Sequence, residues 1–275
     1  FIRDNKYGVR IGNLELMLSF LAGAISGDLK ERVYELYDNH YKTFEIELQP
    51  VIRFTFSNFG LKQTQISKVN QFKANIEKIK KFPPPEIDII FKKCNTSLKL
   101  SIDLLRKELG ISSSRLLPSQ IPLVTIATYL YHKNINSLEE LEEHDIKNIV
   151  NWFILSSFNG YYSSATDAKL DEDINTVKSS SVFPMDQLIE NMRKRKAKVK
   201  ISEADVRRGL TMNVLRREGR AHLFMLYILL VKKDADNWNG KQLKKTPLSE
   251  LARHHIFPCL LYTSDAADDG ESVDL

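Results

Sequence analysis

The chain has 275 residues, 43% hydrophobic and 27% charged, with 40 Lys and Arg against 35 Asp and Glu for a formal charge of +5. This is long enough for a sizeable core shared between two units, and the basic balance permits a polyanionic partner without demonstrating one. Two cysteines exclude a Cys-rich zinc cluster, and the longest apolar run, Leu223 to Val231, falls short of the roughly 18 residues of a membrane span.

Helical periodicity dominates in chain order. Asn13 is a plausible N-cap for an apolar helix through Leu21. Val33, Leu36, Tyr37 and Tyr41 then mark one face of a helix over Leu29 to Tyr41. A third helix runs from Leu48 to Phe59 and stops at Gly60, a candidate left-handed cap. Asn70 to Lys81 reads as a helix ended by the Pro83-Pro84-Pro85 break, the best candidate boundary in the first half. Beyond it lie a long helix from Ile87 to Leu109 closed by Gly110, a loop over Ser112 to Pro118, and a helix from Pro122 to His132. That last helix is apolar on most sides and therefore expected to be buried. Ser137 and Glu140 have capping-box spacing for a short helix, and Asp145 to Phe158 is a helix ending in the Asn159-Gly160 turn. The remaining helices are expected over Met185 to Lys198, Glu203 to Arg208 with a stop at Gly209, and Gly219 to Lys232. Strand-like character is confined to Gln242 to Pro258.

From Cys259 onward the string CLLYTSDAADDGESVDL corresponds, in one reading frame, to a translated transposase adapter of sequencing libraries. Residues 259–275 are therefore read as a non-native tail and set apart from fold reasoning. They carry five acidic residues and no Lys or Arg, so the charge without them is 40 minus 30, or +10. Cys94 is then alone, which rules out an internal disulfide and suits a reducing cytosol. The start at Phe1 suggests an internal piece of a larger gene.

Chemistry-bearing residues are few. His254-His255-Ile-Phe-Pro258 pairs a candidate metal ligand with a candidate base; neutral imidazole titrates near 6.5, suited to taking a proton from water. Arg193-Lys-Arg-Lys-Ala-Lys-Val-Lys200 puts six positive charges in eight residues, with Arg207, Arg208, Arg216, Arg217 and Arg220 downstream. Such a run can track phosphates, and it can equally be a solvated helix face. His40, His132, His144 and His222 have no ligand spacing, and Glu139 to Glu143 reads as an acidic surface.

The pair at 254–255, with Asp236-Asn-Trp238-Asn-Gly240-Lys-Gln-Leu243 before it, resembles the C-terminal HNH (ββα-metal) half of GmrSD-like restriction endonucleases. Phe1-Ile-Arg3-Asp-Asn5-Lys-Tyr-Gly8 resembles the segment that closes the ParB-like, NTP-using domain of that family. There Lys6-Tyr7 departs from the usual small residue and second Gly, and Gly8 alone could be a turn glycine. Leu117-Pro-Ser-Gln-Ile-Pro-Leu123 and Trp152-Phe-Ile-Leu-Ser-Ser-Phe-Asn-Gly-Tyr-Tyr-Ser163, followed by Leu170-Asp-Glu-Asp173, resemble its helical connector.

The resemblance implies a mainly α fold with a helical bundle-like body. The end of a ParB-like α/β domain would precede the body, and the first strand of a truncated HNH domain would follow it. The corresponding division is 1–82, 83–234 and 235–258, with 259–275 as the tail. The resemblance further implies a bacterial or archaeal, cytoplasmic phage-defence endonuclease acting on foreign or modified DNA. His255 would be general base, His254 a ligand to Mg²⁺ or Mn²⁺, and an NTP would be used by the N-terminal domain of the full-length parent, whose closing motif Arg3, Asn5 and Gly8 would form. Arg193, Lys194, Arg195 and Lys196 would contact DNA, and Tyr161, Tyr162 and Ser163 would touch DNA or the neighbouring domain, or simply fill a helix–turn junction. The Asp-Gly-Gln-Gln-Arg element tied to nucleotide use is not in this sequence, so that activity does not carry over. An HNH site also needs groups beyond Pro258, so this chain is expected to be inactive by itself. The competing expectation is a non-catalytic helical module that binds nucleic acid or protein, with structural histidines.

Overall fold

A computed structural model describes residues 16–19, 28–210, 217–237, 239–247 and 250. Eleven α-helices are named within these residues: α1 (Asp28–Phe44), α2 (Leu48–Asn58), α3 (Gln63–Ile66), α4 (Phe72–Ile79), α5 (Pro84–Leu109), α6 (Pro122–His132), α7 (Glu143–Phe158), α8 (Thr166–Lys178), α9 (Met185–Lys194), α10 (Glu203–Leu210) and α11 (Arg217–Lys232). Among the described residues there is no β-strand, only one isolated antiparallel bridge between Asp236 and Gln242. The mainly α expectation holds for this part of the chain. The ParB-like end, the HNH strand proper and the tail lie outside the described residues, as does most of the Asn13–Leu21 helix.

The central element is α6. Every residue from Pro122 to Tyr131 is buried, the outcome its all-round apolar surface requires. Val124, Thr125, Ile126 and Thr128 are poor helix formers, so contacts with α5, α8 and α2 hold this helix more than its own propensity does. One apolar core runs from Leu16 through Val51, Phe54, Leu98, Leu123 and Trp152 to Val231, so residues on both sides of Pro83 share it.

The proline run begins a helix as much as it ends one. Pro83 is extended (φ −68°, ψ 151°), and Pro84 and Pro85 open α5, because a first-turn proline lacks only an N–H that the helix could not use. The helix therefore starts three residues before the apolar periodicity does.

Five helix ends share one device. At Gly60, Asn134, Lys196 and Asp234 the backbone turns left-handed and the next N–H reaches back five residues; at Gly110 the same bond reaches back six. Sequence inspection finds the glycines and misses the others. So the helix expected over Met185 to Lys198 ends at Lys194, with Lys196 (φ 56°) at the left-handed position and Ala197 N–H donating to the Met192 carbonyl at 2.9 Å. Conversely Gly209 does not stop α10, which runs to Leu210. Ser137 opens a short 3-10 turn and its side chain accepts no cap hydrogen bond, so the capping box expected there does not form. The loop over Ser112 to Pro118 contains a second 3-10 turn, Ser114–Leu116.

Gly110 fixes the C-terminal segment to the body. Its φ is +65°, and a Cβ there would sit 2.9 Å from the Lys244 Cα. Tyr227 of α11 donates to the Gly110 carbonyl at 2.6 Å. Gly110→Ala is expected to cost about 1–3 kcal/mol through backbone strain and that close approach. Urea denaturation checks the cost, and faster proteolysis within 235–247 would show that the segment has lifted.

Candidate nucleic-acid interface

The local folding of α8 and α9 determines how the basic run is displayed. Helix α8, absent from the sequence expectations as a helix, directs alternate polar side chains to separate partners. Asp167 accepts from Arg53 Nη1 at 2.6 Å and from Ser67. Asp171 accepts the Gln63 and Thr64 backbone N–H groups at 2.6 and 3.1 Å, satisfying the start of α3 from another helix. Lys169 donates to the Tyr161 carbonyl at 2.6 Å, and Lys178 to the Ser57 carbonyl at 3.1 Å.

Asp173, fully buried, sits at the middle of this arrangement. Tyr162 Oη donates to its Oδ2 at 2.5 Å and Asn191 Nδ2 to its Oδ1 at 2.9 Å; Tyr162 Oη also lies 3.0 Å from Thr125 Oγ1. Burial pushes the Asp173 carboxyl up to about 7, against the lowering effect of the two hydrogen bonds. The network joins α6, the Tyr161–Ser163 turn and α8 to α9, whose C-terminus carries the basic run. Tyr161 and Tyr162 are thus core residues, which corrects the option that they face DNA. The aromatic turn at a helix end is what the bland reading of that stretch expected.

Arg193, Lys194, Arg195 and Lys196 are all exposed. They are not equivalent. Arg193 pairs with Glu190 at 3.3 Å and Arg195 with Glu172 of α8 at 3.1 Å. Lys198 pairs with Asp205, whose carboxyl is held well below the usual range by Lys198 and by Ser202. Ser202 and Asp205 form a reciprocal cap at the start of α10: Ser202 N–H donates to Asp205 at 2.8 Å and Asp205 N–H to Ser202 Oγ at 3.3 Å. Arg207 pairs with Glu203. Residues 197–202 are neither helix nor strand. Ala197, Val199 and Ile201 are half-buried against the core while Lys196, Lys198 and Lys200 point outward, the period of an extended chain.

Beyond α11 the chain makes a compact turn. Asn237 Oδ1 accepts the Asn239 and Lys241 N–H groups at 2.9 and 3.0 Å, Leu243 N–H donates to the Ala235 carbonyl at 2.9 Å, and Thr246 is buried. The described part of the expected strand, residues 242–247, is a 3-10 turn and its flanks. Trp238, His254, His255, Arg3, Asn5 and Gly8 lie outside the described residues. Among the described residues no three His, Cys, Asp or Glu side chains are grouped to hold a metal ion, and no helix is long and apolar enough to cross a membrane. His40 instead meets Asn95 at 3.0 Å and His144 meets Asn148 at 2.9 Å.

Comparison of the chain with protein-family models and with curated proteins gives no match.

Proposed function

We propose that the chain belongs to a GmrSD-like DNA endonuclease of a bacterial or archaeal phage-defence system, acting in the cytoplasm on foreign or modified DNA. In this reading the helical body binds duplex phosphates through the 193–196 region. It also carries the histidine pair towards the scissile bond. His255 takes the proton of the attacking water, and His254 contributes to holding Mg²⁺ or Mn²⁺, which stabilises charge on the leaving oxygen. An NTP-using N-terminal domain controls the reaction. The observation that carries the reading is the exposed basic run at the end of α9, held in place by the Asp173 network and by the core contacts of Ala197, Val199 and Ile201.

The chain is expected to bind mixed-sequence duplex DNA with an affinity that falls linearly in log–log form with salt, by a slope of about −0.9 for each phosphate contact. It is expected to leave plasmid DNA uncut in Mg²⁺, Mn²⁺ or Ni²⁺, because a single imidazole ligand such as His254 does not by itself hold the ion in working geometry. Filter binding across a salt series and a plasmid nicking assay check both. Metal-dependent cleavage would move the active site elsewhere, and salt-independent binding would remove the polyanion reading.

A further inference from the structure

The six charges of the 193–200 run divide into two sets. Arg193, Arg195 and Lys198 are each engaged by a carboxylate of the protein itself: Glu190, Glu172 and Asp205. Lys194, Lys196 and Lys200 are exposed and have no ion pair among the described residues. A charge already paired releases few counterions when a phosphate arrives, because its own carboxylate competes for it. The unpaired lysines keep their full effect.

Lys196 adds an independent observation. It occupies the left-handed position of the turn that ends α9, at φ 56°, where glycine is the residue of lowest cost because a Cβ crowds the backbone. Asn134 and Asp234 hold the same position after other helices, so the turn alone assigns no role; at Lys196 it sets an exposed ammonium where α9 ends. Here its alternation with Ala197, Val199 and Ile201 turns Lys196 and Lys200 outward from a segment pinned to the core. Lys196 and Lys200, four residues apart, lie about 13 Å from one another along an extended chain, close to the rise of about 13.6 Å over four phosphates of one DNA strand.

We infer that Lys194, Lys196 and Lys200 form the phosphate-contacting row of a duplex-DNA surface, while Arg193, Arg195 and Lys198 are positioning residues that hold the row in register. This rests on the DNA-binding reading above. It moves the contacts away from two of the four residues first assigned to them.

The test compares the salt dependence of duplex binding in three variants of the full chain. Replacing Lys194, Lys196 and Lys200 with Ala is expected to flatten the log–log slope by about 0.9 per lysine. Replacing Arg193, Arg195 and Lys198 with Ala is expected to change it by less than half as much. Lys196→Gly separates the two roles in one residue: the melting temperature should rise as backbone strain is relieved, while the slope falls by about 0.9. Equal slope changes in the two triple variants, or a stabilised Lys196→Gly chain with an unaltered slope, would overturn the assignment and leave DNA binding standing. A native chain without salt-dependent duplex binding would overturn both.

Discussion

Asp173→Ala is expected to be among the most destabilising single changes in the described body. It strips an acceptor from Tyr162 Oη, which keeps only Thr125 Oγ1 at 3.0 Å, and from one N–H of Asn191 Nδ2, whose other partner is Thr176 Oγ1, both in the buried interior. Each buried donor left unmet costs about 1–3 kcal/mol, and the vacated volume adds to this. Asp173→Asn keeps the shape and isolates the charge. The folded carboxyl titrates near 7, above the 3.8 of a free aspartate, chiefly because burial disfavours its ionised form. A raised folded value means the folded state holds the proton more tightly. Its contribution is fully present below pH 3.8 and is lost as pH rises towards about 7.

The native chain should therefore lose stability relative to Asp173→Asn across that window and run parallel to it above. Comparison with the Asn variant is needed because His132 works in the opposite direction. Burial, helped by Lys178 and Lys93, depresses its folded value to about 4. Its stabilisation is present above the unfolded value of 6.5 and is lost as pH falls towards 4. The groups facing Asp173 are Tyr161 and Tyr162 in the turn, Lys169 and Glu172 on its own helix, Thr125 on α6, Asn191 on α9 and Arg195 after it. The neutral acid can be accommodated: the Asp173 hydroxyl donates to Tyr162, which donates in turn to Thr125. Urea melts at pH 5 and 8 on both proteins decide the matter; a difference that is flat with pH would mean Asp173 is ionised throughout.

Much of the helical body is legible in the sequence because its cues are local. The apolar periods of Leu48–Asn58, Pro122–His132 and Glu143–Phe158 and the glycines at 60, 110 and 160 sit where the helices and their left-handed turns form. What fails is set by partners distant in sequence. TDAKLDEDINTVK carries few apolar residues, and its helix holds because Arg53, the start of α3, Tyr161 and Asn191 take up its polar side chains. No window of sequence contains those partners. Lys196 is missed for a different reason: its left-handed turn is imposed by the Ala197 and Met192 contacts with the core, against the preference of the residue itself. The division of the basic run into paired and unpaired charges is likewise invisible in one dimension. Glu172 lies 23 residues from Arg195. The spacing of positive residues alone makes all six look alike.

In the endonuclease proposed above, with the rest of its HNH site present, His255→Ala is expected to lower the cleavage rate by about 10²–10⁴ while fold and duplex affinity stay near native. A general base acts on the attacking water in the transition state and adds little to binding of the ground state, so its loss appears in kcat. His254→Ala should also impair cleavage, but raised metal concentration should recover part of the rate, because loss of one ligand first weakens metal affinity. A purely structural pair behaves in the opposite way. Truncating a packed imidazole lowers the melting temperature, and activity then declines only with the folded fraction. Measuring single-turnover cleavage over a metal series beside thermal melts on both variants distinguishes the two. Normal specific activity in a destabilised His255→Ala protein would remove the nuclease assignment and leave the lysine row as the functional surface of this chain.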